Sequence, residues 1–136
     1  MSRFKEKKGE YRSGFEKSFR DYLDSNGISF SYESEKISFV EPEKKRTYTP
    51  DFILPKKNGR KMYIETKGRW TTADRMKIRC VVEQNPDKDI RILFQSDNPI
   101  RKGSKTRYTD YARKIGVKCA VGDSLPSEWV KEIYNQ

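Results

Sequence analysis

Two short stretches carry the residue types that can hydrolyse a phosphodiester without histidine. They are Thr49-Pro50-Asp51-Phe52 and Ile64-Glu65-Thr66-Lys67-Gly68, with Glu16 well upstream. A strand repeats its side-chain direction every two residues, so Glu65 and Lys67 share a face. Between the stretches, Lys56-Lys57-Asn58-Gly59 reads as a turn. That turn lets the strand holding Asp51 pair with the strand holding Glu65, and cross-strand side chains then lie about 5 Å apart. Two carboxylates so placed suit one Mg²⁺ held at about 2.1 Å, with the Thr66 carbonyl as a further oxygen ligand. Lys67 beside such an ion can hold or deprotonate an attacking water and balance charge on a five-coordinate phosphate.

Each of these residues also has a plainer reading. Glu65 and Lys67 alone fit an ordinary ion pair on a solvated strand face, a reading that Pro50-Asp51 across the turn weighs against. Asp51 alone fits a structural acid following proline. Glu16 closes the capping box Ser13-Gly14-Phe15-Glu16, in which Ser13 bonds the N3 amide and the glutamate reaches back to the cap. Local spacing favours that role over metal binding.

The composition frames the chemistry. The chain has 136 residues, 30 Lys+Arg against 20 Asp+Glu, a net charge of +10, and no histidine. One domain is expected at this length. The charge excess points to a polyanion, DNA or RNA first. The absence of histidine excludes His-metal nucleases and Ser-His-Asp or Cys-His hydrolases. Cys80 and Cys119 are too few for a disulfide framework and read as buried thiols in a reducing cytosol. No apolar run approaches a membrane span, and the N-terminus lacks the apolar core of a signal peptide. A low apolar fraction of 33% suggests core borrowed from a partner chain.

The elements that must position the acids follow from periodicity. Residues 1–12 read as a flexible basic arm, with a single domain over 13–136. A helix starts at Ser13, carries Phe15, Phe19, Tyr22 and Leu23 on one face, and stops at Asn26-Gly27. Ile28, Phe30 and Tyr32 alternate, as do Ile37 and Phe39, which suggests a strand or a hairpin-like pair. Residues 41–46 form a charged, proline-containing break, either a turn or an extended connector. Tyr48 to Leu54 and Lys61 to Lys67 read as strands. A helix capped by Thr71 or Thr72 runs to about Asn85, followed by a strand at 90–94, a helix at 106–115, a strand at 117–121 and a last helix from Pro126 to Ile133. The order predicts an α/β fold, a mixed sheet flanked by helices. The candidate phosphate contacts are Arg3, Lys5, Lys7, Lys8 and Arg12 in the arm, together with Arg46, Arg69, Lys102 and Lys105. Trp70 and Trp129 are expected in the core.

Longer blocks make the pattern specific. Arg12-Ser13-Gly14-Phe15-Glu16, Tyr48-Thr49-Pro50-Asp51-Phe52-Ile53-Leu54-Pro55 and Glu65-Thr66-Lys67-Gly68 with Trp70 resemble the phage T-seven endonuclease I family. These are Holliday-junction-resolving enzymes of the PD-(D/E)xK nuclease superfamily. The resemblance continues through Asp89-Ile90-Arg91-Ile92 and Ile115-Gly116-Val117-Lys118 to Pro126-Ser127-Glu128-Trp129-Val130-Lys131-Glu132, nearly the whole chain from Arg12. It implies a restriction-endonuclease-like core in an intertwined, element-exchanged homodimer. It also implies paired nicking of four-way junctions and other branched DNA with Mg²⁺ or Mn²⁺ and no small-molecule cofactor, in the cytoplasm of an infected bacterium. On the matching positions, Glu16 of one subunit joins Asp51, Glu65 and Lys67 of the other, and residues 41–47 become the bridge between subunits. The chain departs from the family in its longer, basic 56–60 turn and in ending at Gln136 without a basic tail. Two rival readings are a nicking or repair nuclease of the same fold, and a non-catalytic branched-DNA-binding protein.

Overall fold

A computed structural model of the chain describes residues 14–41 and 44–133. The arm and the phosphate contacts expected of Arg3, Lys5, Lys7, Lys8 and Arg12 lie outside the described residues, as does Ser13. Among the described residues the elements in order are α1 (Gly14–Ser25), β1 (Ser31–Tyr32), β2 (Ile37–Glu41), β3 (Lys44–Tyr48), β4 (Phe52–Pro55), β5 (Lys61–Lys67), α2 (Thr72–Gln84), β6 (Asp89–Phe94), α3 (Tyr108–Lys114), β7 (Lys118–Val121) and α4 (Ser127–Ile133). Five strands form one mixed sheet in the order β1-β4-β5-β6-β7, and β2 and β3 form a separate hairpin. The pairs β1/β4 and β4/β5 are antiparallel; β5/β6 and β6/β7 are parallel.

Strand alternation sorts the core into two layers. Phe52, Leu54, Met62, Ile64 and Leu93 point to the face covered by Phe19 and Leu23 of α1 and Trp129 of α4. Ile53, Tyr63, Ile90, Ile92 and Phe94 point to the other face, covered by Ile78 and Val81 of α2, Ala112 of α3, and Ile37, Phe39 and Tyr48 of the hairpin. Both faces of β5 are therefore buried, and the period of two does not separate a dry face from a wet one there. Trp70 and Trp129 are both core residues.

Local signals explain most boundaries. Gly27, at φ +66°, lets α1 stop, and Ile28 N–H then bonds Leu23 O at 3.0 Å. Thr71 caps α2, with Thr71 Oγ1 accepting from Asp74 N–H and Asp74 Oδ2 accepting from Thr71 N–H, both at 3.1 Å. Gly59, at φ +86°, supplies the left-handed residue of the β4–β5 turn.

Three expectations need correction. The segments 28–32 and 37–39 do not pair with each other: β1 pairs with β4, whereas β2 pairs with β3. The chain leaves the sheet after Tyr32, where Glu33 takes φ +46°. The β2 backbone is instead held against α2. Gln84 both accepts from Val40 N–H and donates to Val40 O at 2.6 Å, and Asn85 donates to Ser38 O at 3.1 Å. Second, Tyr48 to Leu54 is not one strand, because Pro50 lacks an N–H for the ladder and constrains Thr49. The chain breaks at 49–51 and changes sheets. Third, Cys80 and Cys119 are half-buried free thiols, not buried ones. Of the charged break, Glu41 lies on β2 and residues 44–46 on β3, with Glu41 paired to Lys44 and Arg46 Nε 2.8 Å from Glu41 Oε2.

Candidate active site

The expected hairpin exists and sets the site. Phe52 pairs with Ile64 across β4 and β5, so one further step of that register sets Asp51 opposite Glu65. On the other side Tyr32 pairs with Phe52, and one further step sets Glu33 opposite Asp51. The Glu33 N–H donates to Asp51 O at 3.0 Å, closing that step. Three acids thus stand in one row across adjacent chains of the sheet.

Helix α1 brings in a fourth. Phe19 packs edge-on against Phe52 with ring centroids 5.0 Å apart, which seats the helix one turn from the row. Glu16 is 3% exposed, and its Oε1 accepts a 2.6 Å hydrogen bond from Tyr32 Oη. One carboxylate oxygen each from Glu16, Glu33 and Asp51 lie within 4.8 Å of one another. Glu65 stands outside that trio, next to Asp51 on β5.

Asp51 is 2% exposed, and its Oδ2 accepts from Thr66 N–H and Thr66 Oγ1, each at 2.9 Å. Burial, then the Glu65 and Glu16 carboxylates, push its pKa well above the usual carboxylate value, against the opposing Thr66 amide. Burial also raises the Glu65 pKa, opposed by Lys67 and by the Tyr48 hydroxyl, whose Oη donates to Glu65 Oε1 at 2.9 Å. Lys67 Nζ lies 3.6 Å from Glu65 Oε2 and 3.7 Å from Asp74 Oδ1, held between a strand acid and a helix-capping acid. Tyr48, Glu65, Lys67, Trp70, Asp74, Lys77 and Ile78 surround a narrow cavity of about 40 Å³, room enough for a water.

A buried carboxylate such as Asp51, whose pKa is raised by burial and by the carboxylates beside it, is stabilised in its charged form by a cation among them. All the donors are hard oxygens with no nitrogen or sulfur among them, the set preferred by Mg²⁺ and Mn²⁺ over softer ions. The residues therefore fit a divalent cation.

Across residues 1–136 the chain matches the family described as phage endonuclease I. The chain belongs to that family. It is similar to Endonuclease I of Escherichia phage T7, 45% identical over 127 residues, covering 93% of this chain and 82% of that protein. It is also similar to Endodeoxyribonuclease 1 of Enterobacteria phage T3, 43% identical over 123 residues, covering 90% of this chain and 78% of that protein.

Within this endonuclease I family member, Asp51, Glu65, Thr66, Lys67 and Glu16 all meet in one region. The resemblance implies that Glu16 arrives from a second subunit; here it lies beside Asp51 of its own chain. Of the described phosphate-contact candidates, Arg69 and Lys102 line an open cleft with Arg101 beside the start of α2. Lys105 is exposed on the same loop, and Arg46 is exposed on the hairpin, paired with Glu41. No helix among the described residues is long and apolar enough to cross a membrane.

Sequence reasoning missed four contributors. Glu33 and Tyr32 enter through the β1–β4 register, which the assumed pairing of β1 with β2 concealed. Tyr48 reaches Glu65 only because the chain bends at Pro50. Asp74 was legible, since Thr71-Thr72-Ala73-Asp74 has the spacing of a capping box.

Proposed function

We propose that this phage endodeoxyribonuclease resolves four-way DNA junctions, and cuts other branched DNA, by divalent-metal-dependent hydrolysis at the Glu16–Asp51–Glu65–Lys67 site. The observation that carries this reading is the cluster of buried carboxylates Glu16, Asp51 and Glu65, with Lys67 beside Glu65, inside a protein of net charge +10. Asp51, Glu65 and the Thr66 carbonyl would hold one Mg²⁺, with Glu16 at a second ion or positioning water; Mn²⁺ would substitute. The ion supplies Lewis-acid polarisation of a phosphoryl oxygen. The protein's own groups orient the rest. The Thr66 amide and hydroxyl hold Asp51, and Tyr48 holds Glu65. Lys67 acts on the attacking water or on the negative charge gathering on phosphate, kept in place by Glu65 and Asp74. Arg46, Arg69, Lys102, Lys105 and the basic arm would contact phosphates without reading sequence.

The enzyme would act as a homodimer in the host cytoplasm, two sites serving the two nicks. The deciding assay offers an end-labelled four-way junction and a matched linear duplex, each with Mg²⁺ or EDTA. Symmetric junction nicks that require Mg²⁺ are expected. Equal cutting of the duplex would favour a nicking or repair nuclease, and binding without cleavage would remove the enzyme reading. Subunit exchange has its own test in co-expressed Glu16→Ala and Asp51→Ala chains. An exchanged heterodimer regains one intact site, whereas sites built within single chains all stay defective.

A further inference from the structure

The site treats the two oxygens of Glu65 differently. Oε1 accepts a 2.9 Å hydrogen bond from Tyr48 Oη, while Oε2 faces Lys67 Nζ at 3.6 Å. Tyr48 has little freedom to move. It ends β3, is 4% exposed, and its ring belongs to the core formed with Ile37, Phe39 and Ile78. The Lys77 ammonium lies 5.8 Å from its ring centroid and further fixes the ring.

A rigid donor on one oxygen constrains a carboxylate in two ways. It sets the rotation of the carboxylate plane, and it occupies lone-pair capacity on the bonded oxygen. Glu65 is thereby presented to a cation through Oε2. Mg²⁺ demands near-ideal octahedral geometry and is satisfied by single carboxylate oxygens, whereas Ca²⁺ takes more ligands and readily accepts both oxygens of one carboxylate. On the metal-dependent reading above, we propose that Tyr48 is a positioning residue that makes Glu65 a one-oxygen ligand and so sets the preference of the site for Mg²⁺ over Ca²⁺. The hydroxyl acts through Glu65 and touches neither ion nor substrate.

The test is calorimetric titration of Mg²⁺ and of Ca²⁺ into the full chain as wild type, Tyr48→Phe and Tyr63→Phe. Both variants keep their rings and delete one hydroxyl. Tyr63 donates to Glu35 at 3.1 Å, away from the acidic row, and is the structural control. Removing an outer partner of a metal ligand typically lowers affinity about 10–100-fold. Tyr48→Phe is expected to weaken Mg²⁺ binding by about 10-fold with little loss, or a gain, for Ca²⁺, while Tyr63→Phe leaves the ratio unchanged. Equal weakening of both ions, or an unchanged ratio in folded Tyr48→Phe, overturns the proposal and leaves the tyrosine a packing role. A wild type that binds neither ion defeats the metal-dependent reading itself, and this inference with it.

Discussion

Glu65 and Arg91 stand one step apart on the neighbouring strands β5 and β6, yet they belong to opposite kinds of buried charge. Arg91 pairs in register with Ile64 and points to the α1/α4 face, fully buried. Its guanidinium donates to both oxygens of Glu132, at 2.7 and 2.8 Å, and to both oxygens of Asp89 at 2.8 Å. Lys56 also bonds Asp89, at 2.7 Å, and the Trp129 ring lies 5.0 Å from the guanidinium. Around Asp51 the acids gather instead: one carboxylate oxygen each from Glu16, Glu33 and Asp51 lie within 4.8 Å of one another, and Glu65 beside them faces Lys67 Nζ at 3.6 Å. Burial would raise the Asp89 pKa, but the bonds from Arg91 and Lys56 hold it below the usual carboxylate value, and Arg91 does the same for Glu132. Asp51 and Glu65 shift the other way. One sheet thus carries a paired network that lowers the pKa of its acids, and an acidic cluster in which burial raises the pKa of Asp51 and Glu65.

The sharpest way to break this contrast is to remove each side and ask what is lost. Lys67→Ala or Glu65→Ala should reduce junction cleavage by about 10²–10³-fold or more while leaving junction affinity nearly intact. Single-turnover cleavage beside a gel-shift titration reads this, and normal cutting by either variant would show that the site is misplaced. Arg91→Met should do the opposite, destabilising the fold by about 3–5 kcal/mol because it strands two partly buried acids. Cleavage well below the midpoint of unfolding should survive. Urea unfolding checks the first effect, and loss of cleavage in folded protein would mean that the two faces are coupled.

The smallest effect sharpens the contrast through pH. Asp51→Asn should abolish cleavage yet stabilise the metal-free protein by about 1 kcal/mol near neutral pH. The sign follows from linkage. A carboxylate whose folded pKa is raised contributes stability that is complete below the unfolded value of about 4 and lost as pH rises through the folded pKa. The advantage of Asp51→Asn should therefore grow with pH above about 4 and vanish below it. Asp89 and Glu132, with lowered pKa values, contribute stability above about 4 that is lost as pH falls through their folded values. Unfolding free energies from pH 3 to 8 in EDTA test both slopes, and an Asp51→Asn advantage independent of pH would contradict the assignment.

Much of the site was legible because it rests on local rules. The turn at 56–59 and the strand period sufficed to bring Asp51 opposite Glu65 and to place Lys67 beside Glu65. Helix ends followed from Gly27, Thr71 and Gly116. What stayed hidden depends on which distant segments meet. Glu33 joins the row through the β1–β4 register, and a lone acid after a short strand gives no sign of that. Arg91 lies within a recognisable block, but its burial depends on Glu132 forty-one residues later, when α4 docks. The hairpin of β2 and β3 was half legible: residues 41–46 read as either a turn or a connector, and the register of Ile37–Glu41 with Lys44–Tyr48 favours the turn. Glu16 is the mixed case: its local spacing spells a helix cap, the resemblance recruits it to the site, and the fold sets it beside Asp51.

The central claim is that the acidic row is unfavourable alone and completed by a divalent cation, and metal-linked stability tests it most directly. Wild type and Asp51→Asn are unfolded thermally in EDTA and in saturating Mg²⁺. The wild type should gain about 2.7 kcal/mol when Mg²⁺ is present at a hundred times its dissociation constant, and Asp51→Asn should gain much less. A wild type indifferent to Mg²⁺, or an equal gain in Asp51→Asn, would contradict the account.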